Sequence, residues 1–284
     1  MKITPLHEFM GAEISDFDIN SPSENDIEQM IDALSNHGMI RIRGQQFTDH
    51  EHLLFMRHFG ELELSNRDRF ITPGTGWFPQ FPQLSCVSNI IENGQRVGGC
   101  YNDELEWHSD TCHQIVPCKY TSLHAVEISD STQGPTHYCS MYKALDVLPD
   151  ELKGEITGKL LYHGDYVHAT GTKHNVKSDE FTDIGHPIIQ IHPVTGRNVL
   201  YLGRRNNAEI VGMPEDESND ILDQIFTIVF DDQYIFSHNW EVDDLVIWDN
   251  NNSMHHRKEF PNQIRRRLHK TFNKGDKSPI AEKA

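Results

Sequence analysis

The spacing of apolar and polar positions divides the chain into a helical beginning and a strand-dominated remainder. Ile27, Met30, Ile31 and Leu34 recur at helical spacing, and Gly38 supplies a natural stop just after them. Residues 39–43 then read as a short strand. Thr48 and Glu51 form a capping box ahead of an amphipathic run through Leu54, Phe55 and Phe59, closed by Gly60. From about residue 84 onward strand patterns prevail, at 84–91, 120–128, 188–191, 199–202 and 245–248. The segment between 191 and 199, with Pro193 and Gly196, has hairpin turn chemistry. Two later helices are predicted, one after Pro149 and one carrying Ile221, Leu222, Ile225 and Val229.

Many short strands with a few packed helices predict a mostly β fold with a double-stranded β-helix (jelly-roll) core. With 284 residues and no linker-like composition break, the chain reads as one unit. Its expected parts are an α/β cap over about 1–65 and a jelly-roll core over about 84–275. A lid loop is expected near 162–186, where a long polar tract is rich in Gly, His, Thr and Lys.

Charge narrows the partners. A formal net charge of -18 argues against nucleic acid and anionic membranes, both of which call for a basic face. It leaves a small-molecule substrate open, since a pocket can be locally basic inside an acidic protein. The five cysteines (Cys86, Cys100, Cys112, Cys118 and Cys139) are odd in number and lack C-x-x-C spacing, which fits reduced thiols in the cytoplasm. No signal peptide or apolar run of membrane-spanning length is evident.

Eighteen histidines make any single one weak evidence, but two contexts stand out. Trp107-His108-Ser109-Asp110 contains an H-x-D pair, which in an extended strand places imidazole and carboxylate on one face. Trp248-Asp249-Asn250 leads from an apolar strand toward His255. A distant histidine joining an H-x-D pair would complete a 2-His-1-carboxylate triad, the ligand set of non-haem iron(II) oxygenases. Arg266 lies eleven residues beyond His255. Its guanidinium fork suits the second carboxylate of a dicarboxylic oxo acid, although Arg265, Arg266 and Arg267 also read as a solvated basic cluster.

Taken in order, several blocks resemble one family. They are the segment His37-Gly38-Met39-Ile40-Arg41-Ile42-Arg43-Gly44-Gln45, then Phe59-Gly60-Glu61-Leu62-Glu63, Trp107-His108-Ser109-Asp110, Gln133-Gly134-Pro135-Thr136, the block 240–250 and Arg266-Arg267-Leu268-His269-Lys270. Over nearly its whole length the chain is similar to the taurine dioxygenase / chlorophenoxyacetate dioxygenase family of Fe(II)/2-oxoglutarate enzymes. That resemblance implies His108, Asp110 and His255 as iron ligands, with His255 favoured over the adjacent His256 by its offset from Trp248 and its spacing to Arg266. It implies Arg266 and Thr136 as partners of the distal 2-oxoglutarate carboxylate, although Thr136 also reads as an ordinary strand threonine. Pro135 departs from the family's Gly-Gly-Asp-Thr pattern and removes a backbone donor. The implied reaction is hydroxylation of a small molecule with O2, releasing succinate and CO2, with cleavage where the hydroxylated carbon bears O, N or S. Asp110 favours hydroxylation over halogenation, because related halogenases replace this carboxylate.

The substrate is less legible. Lys270 stands where sulfonate- and carboxylate-using relatives place a basic residue, and it also reads as a solvated lysine. Arg204, beside Arg205, is a candidate for the entrance. Tyr101, Asn102 and Glu104 precede His108 in a segment that family members turn toward substrate. Lys270 and Glu104 together suggest an anion or a zwitterion. The competing readings are a peptide- or protein-modifying oxygenase, a non-catalytic metal or ligand binder, and a cupin-like enzyme that needs no 2-oxoglutarate. Dimers and tetramers both occur in the family, and nothing in the sequence decides between them.

Overall fold

The computed structural model describes residues 1–65, 78–163 and 185–282. The expected lid at 162–186 falls, apart from its ends, outside the described residues. Two sheets position the site. In chain order their strands are β1 (Lys2–Pro5), β2 (Ala12–Ser15), β3 (Met39–Ile42), β4 (Ser85–Ser88), β5 (Gly99–Cys100) and β6 (Leu105–His108). After these come β7 (Tyr120–Ile128), β8 (Thr136–Ser140), β9 (Ile235–His238), β10 (Leu245–Asp249), β11 (Ser253–Arg257) and β12 (Arg266–Asn273). The major sheet runs β1-β2-β3-β10-β7-β12-β4-β5 and the minor sheet β9-β8-β11-β6. This is the jelly-roll architecture expected from the strand pattern. The N-terminal segment does more than cap it, because it supplies three strands of the major sheet.

The central strand β10 shows how the sequence specifies this arrangement. It is buried along its whole length between β3 and β7. Leu245 and Ile247 pack on one face with α1 (Glu24–His37) and α2 (Asp49–Met56), while Val246 and Trp248 pack on the other with Tyr138 and Leu268. A strand covered on both faces reads as a continuous apolar run rather than an alternation. Each fully buried aliphatic chain of this kind contributes about 1.5–3 kcal/mol relative to exposure.

The helices begin and end where their capping chemistry dictates. α1 carries a Ser23/Asp26 capping box and stops at Gly38, whose φ of 73° is left-handed and whose N–H reaches Leu34 O at 2.8 Å. α2 carries the Thr48/Glu51 box. The helix α3 (Met141–Val147) follows β8 directly with no Gly or Pro between them, and Ser140 caps its start by accepting from Lys143 N at 3.4 Å. α4 (Asp150–Ile156) follows Pro149, and α5 (Glu215–Val229) opens with Glu215, Asp216 and Glu217, charges that suit a helix N-terminus. The hairpin of Ile189–Ile191 with Asn198–Leu200 pairs Ile189 with Leu200. Among the described residues, no helix is long and apolar enough to cross a membrane, and all five cysteines are free.

Candidate metal centre

β6 and β11 are antiparallel neighbours, and their register sets His255 opposite His108. Asp110 follows two residues after His108, in the turn beyond β6. The ligand atoms of His108, Asp110 and His255 all lie within 4.8 Å of one another, the only such cluster of His, Cys, Asp or Glu among the described residues. His108 Nδ1 is 2.6 Å from Glu106 O, so the ring donates there and leaves Nε2 free as a metal ligand. His255 Nε2 is 3.8 Å from Asp110 Oδ2.

The protonation states suit a cation. Burial pushes His108 down to about 4 and His255 well below the usual imidazole range, so both rings are neutral at pH 7. Burial opposes ionisation of Asp110, but Lys270 and the two histidines hold its carboxyl well below the usual carboxylate range. Neutral imidazoles and an ionised carboxylate are the forms a divalent metal requires.

Asp110 is held on every side. Thr121 Oγ1 donates to its Oδ2 at 2.9 Å, and Lys270 Nζ donates to its Oδ1 at 2.8 Å. Asn250 accepts from Asp110 N (3.1 Å) and from Trp248 Nε1 (3.2 Å), and donates to Thr121 Oγ1 (2.9 Å). The Trp-Asp-Asn motif of the sequence thus acts on Asp110 as well as leading toward His255. Thr121, an ordinary residue in a β-rich run, carried no sequence signal.

A cavity of about 160 Å³ opens beside the triad. Its apolar wall includes Val87, Leu123, Trp248 and Phe272, and its cations are Arg204, Arg257, Arg266 and Lys270. At one end Arg266 is buried, with Nη2 3.5 Å from Thr136 Oγ1 and Nε without a hydrogen-bond partner among the described residues. Its backbone N–H is fixed by Asn89 Oδ1 at 3.0 Å. Trp240 Nε1 donates to Thr136 Oγ1 at 3.0 Å, which leaves the hydroxyl proton free for an incoming acceptor. Gly134 has a φ of 62°, and a side chain there would meet the Phe260 ring at 3.2 Å and Arg266 Cδ at 3.5 Å. The Pro135 loop therefore needs glycine where it passes this end. A buried guanidinium with an unpartnered Nε, beside a free hydroxyl proton, fits a carboxylate.

The other sequence candidates separate. Arg204 and Lys270 line the cavity, Arg204 as a β-bridge partner of His108. Arg205 points elsewhere, pairing with Asp223 at 2.6 Å. Tyr101, Asn102 and Glu104 are not among the described residues that line this cavity. Glu104 is exposed and its Oε1 is 2.7 Å from His256 Nε2, on the outer side of the minor sheet. Asn102 and Phe260 exchange hydrogen bonds (2.9 and 3.2 Å), and Tyr101 lies under Arg96. These residues build the turn beside the site. The reason is the pleat: His256 alternates with His255, so whatever pairs with it lies outside.

A jelly roll with two histidines and a carboxylate inside, and a buried arginine and threonine in the same cavity, defines the iron(II)- and 2-oxoglutarate-dependent dioxygenases. The chain belongs to the family described as taurine catabolism dioxygenase TauD, TfdA, whose profile matches residues 2–272. It is 26% identical to the alpha-ketoglutarate-dependent 2,4-dichlorophenoxyacetate dioxygenase of Cupriavidus pinatubonensis, over 93% of this chain and 94% of that one. It is 24% identical to the alpha-ketoglutarate-dependent sulfonate dioxygenase of Saccharomyces cerevisiae, over 89% of this chain and 61% of that one. The fold matches that of AAD-2, solved in complex with Mn(II) and N-oxalylglycine, with a TM-score of 0.78 at 23% identity, covering 98% of this chain and 99% of that one. The protein is an enzyme that uses iron(II), 2-oxoglutarate and O2.

Proposed function

We propose that this dioxygenase hydroxylates a small organic anion, with His108, Asp110 and His255 holding the iron and Arg266 with Thr136 holding the distal carboxylate of 2-oxoglutarate. The observation that carries this reading is the convergence on one cavity of three metal-competent side chains and a buried arginine whose Nε has no partner among the described residues. Bound iron and 2-oxoglutarate would supply the activation of O2, with release of succinate and CO2. The chain's own residues bind, orient and exclude water. Neutral His108 and His255 and ionised Asp110 accept the metal without first losing a proton, and Thr121 and Asn250 fix the carboxylate. Thr136 donates its hydroxyl proton and Arg266 its fork to the cosubstrate. Val87, Leu123, Trp248 and Phe272 keep the centre apolar.

The substrate class follows from the cavity's charge. Besides Arg266, which is assigned to the cosubstrate, Arg204, Arg257 and Lys270 make the cavity wall cationic, which suits a substrate anion. Both relatives named above are named for anionic substrates, a phenoxyacetate and a sulfonate. The zwitterion reading loses its support because Glu104 lies outside. The cavity volume of about 160 Å³ also favours a small molecule. Five free cysteines suit a reducing cytoplasm, where we place the enzyme.

The test is anaerobic titration of the Fe(II)-loaded protein with 2-oxoglutarate, watching for the visible metal-to-ligand charge-transfer band. The band should appear in the wild type and vanish in Asp110→Ala. No band despite bound iron would overturn the reading. A panel of small carboxylates, sulfonates and sulfates, screened by succinate release, then identifies the substrate.

A further inference from the structure

β11 brings a second guanidinium to the cavity. Arg257 lies two residues beyond His255, one pleat repeat along the strand, and lines the same cavity. Thr136 and Arg266 line that cavity with it. Arg257 is 2% exposed. Its Nη2 donates to Cys100 O at 2.6 Å and to Asp103 O at 2.5 Å, but Nε and Nη1 have no hydrogen-bond partner among the described residues. A brace for the 100–103 turn therefore accounts for only one of its three nitrogens.

The surroundings say what the other two await. The guanidinium carbons of Arg257 and Arg266 lie 5.0 and 6.0 Å from the centroid of the same Phe260 ring. Among the described residues neither arginine has a carboxylate partner. The carboxylate of Asp110, which also lines the cavity, is engaged by Lys270. Burial, and then repulsion from Arg257, lowers the Arg266 value, while burial pushes Arg257 down only to about 10, so it stays charged at neutral pH. Asp103 offsets part of the Arg257 charge from a distance, but two buried like charges with no carboxylate in ion-pair contact are costly, and a carboxylate beside them offsets that cost.

We propose that Arg257 is a second cation for the distal carboxylate of 2-oxoglutarate, completing a seat with Arg266 and Thr136. The inference rests on the cosubstrate reading given above. It makes Arg257 a specificity residue for a dicarboxylic cosubstrate as well as a tie between β11 and the turn before His108.

Calorimetric titration of the Mn(II)-loaded protein with 2-oxoglutarate and with 2-oxopentanoate, which lacks the distal carboxylate, tests it. Arg257→Gln should weaken 2-oxoglutarate binding by about ten- to hundredfold, the worth of a charge-assisted hydrogen bond, and leave 2-oxopentanoate unchanged. Arg257→Lys, which keeps the charge, should fall between and serves if the glutamine variant does not fold. Equal weakening of both ligands would reduce Arg257 to a brace and overturn the proposal, as would no change in either. A wild type that does not prefer 2-oxoglutarate over 2-oxopentanoate would overturn the cosubstrate reading itself, and this inference with it.

Discussion

His108 and His255 face each other in register across β6 and β11, their ring centroids 4.1 Å apart. The neighbouring residues use the same ladder outward: Trp107 stacks on His256 at 5.2 Å and on Phe230 at 4.3 Å. A slip of one residue would exchange the inward and outward sets completely. The two adjacent histidines should therefore separate cleanly. His255→Ala is expected to abolish Mn(II) binding in calorimetry, and His256→Ala to retain it while lowering stability through the lost stack. Equal metal affinity in both variants would refute the assignment.

The grip on Asp110 predicts a second effect. Thr121→Val keeps shape and β propensity but removes the donor to Asp110 Oδ2. Loss of such an outer partner of a metal ligand should lower metal affinity by about ten- to hundredfold. Asn250→Ala, which frees both Thr121 and the Asp110 backbone N–H, should cost at least as much. Competition against a chromophoric chelator gives the numbers, and unchanged affinity in both variants would count against the network.

How much of this was legible beforehand follows from which residues carry local signals. The two capped helices, the 120–128 strand and the run at 245–248 are visible because capping boxes, glycine stops and apolar runs act over a few residues. His108 and Asp110 are visible as a spacing, and Arg266 as a cation where the chemistry needs one. Thr121, Asn89 and Arg257 carry no such mark, since each acts through a contact between strands distant in sequence. Glu104 shows the converse. Its charge near His108 suggested a substrate contact, but sequence proximity does not say on which side of a sheet a turn residue lies.

Lys270 and Asp110 form a largely buried pair, Nζ to Oδ1 2.8 Å, with side chains 18% and 7% exposed. Removing one partner of such a pair leaves the other uncompensated and costs about 3–5 kcal/mol. Lys270→Met should therefore destabilise the metal-free protein strongly. A bound dication would replace the ammonium as the counter-charge of Asp110, so the deficit should shrink on adding Mn(II). Thermal unfolding with and without Mn(II) checks this, and a deficit that does not narrow would show that the lysine supports more than Asp110. The same variant should raise KM for the anionic substrate.

Acid should weaken the fold through histidines remote from the metal. His124 on β7 is buried and stacked on Phe47 at 4.1 Å, with His52, His269, Asp49 and Asp243 as the titratable neighbours around it. Burial, then electrostatic interaction with His269, pushes His124 down to about 4 against Asp243 and Asp49, which pull it up. Burial and His124 likewise hold His52 well below its ordinary value. As pH falls below 6.5 the unfolded chain takes up protons that the folded one refuses. Stability present above pH 6.5 is therefore lost progressively down to about 4. For His124 alone that shift amounts to about 3 kcal/mol. Urea unfolding of the metal-free protein at pH 7.5 and 4.5 should show a smaller acid loss in His124→Gln than in the wild type. Parallel losses would mean that the ring at 124 does not carry its share of the acid sensitivity.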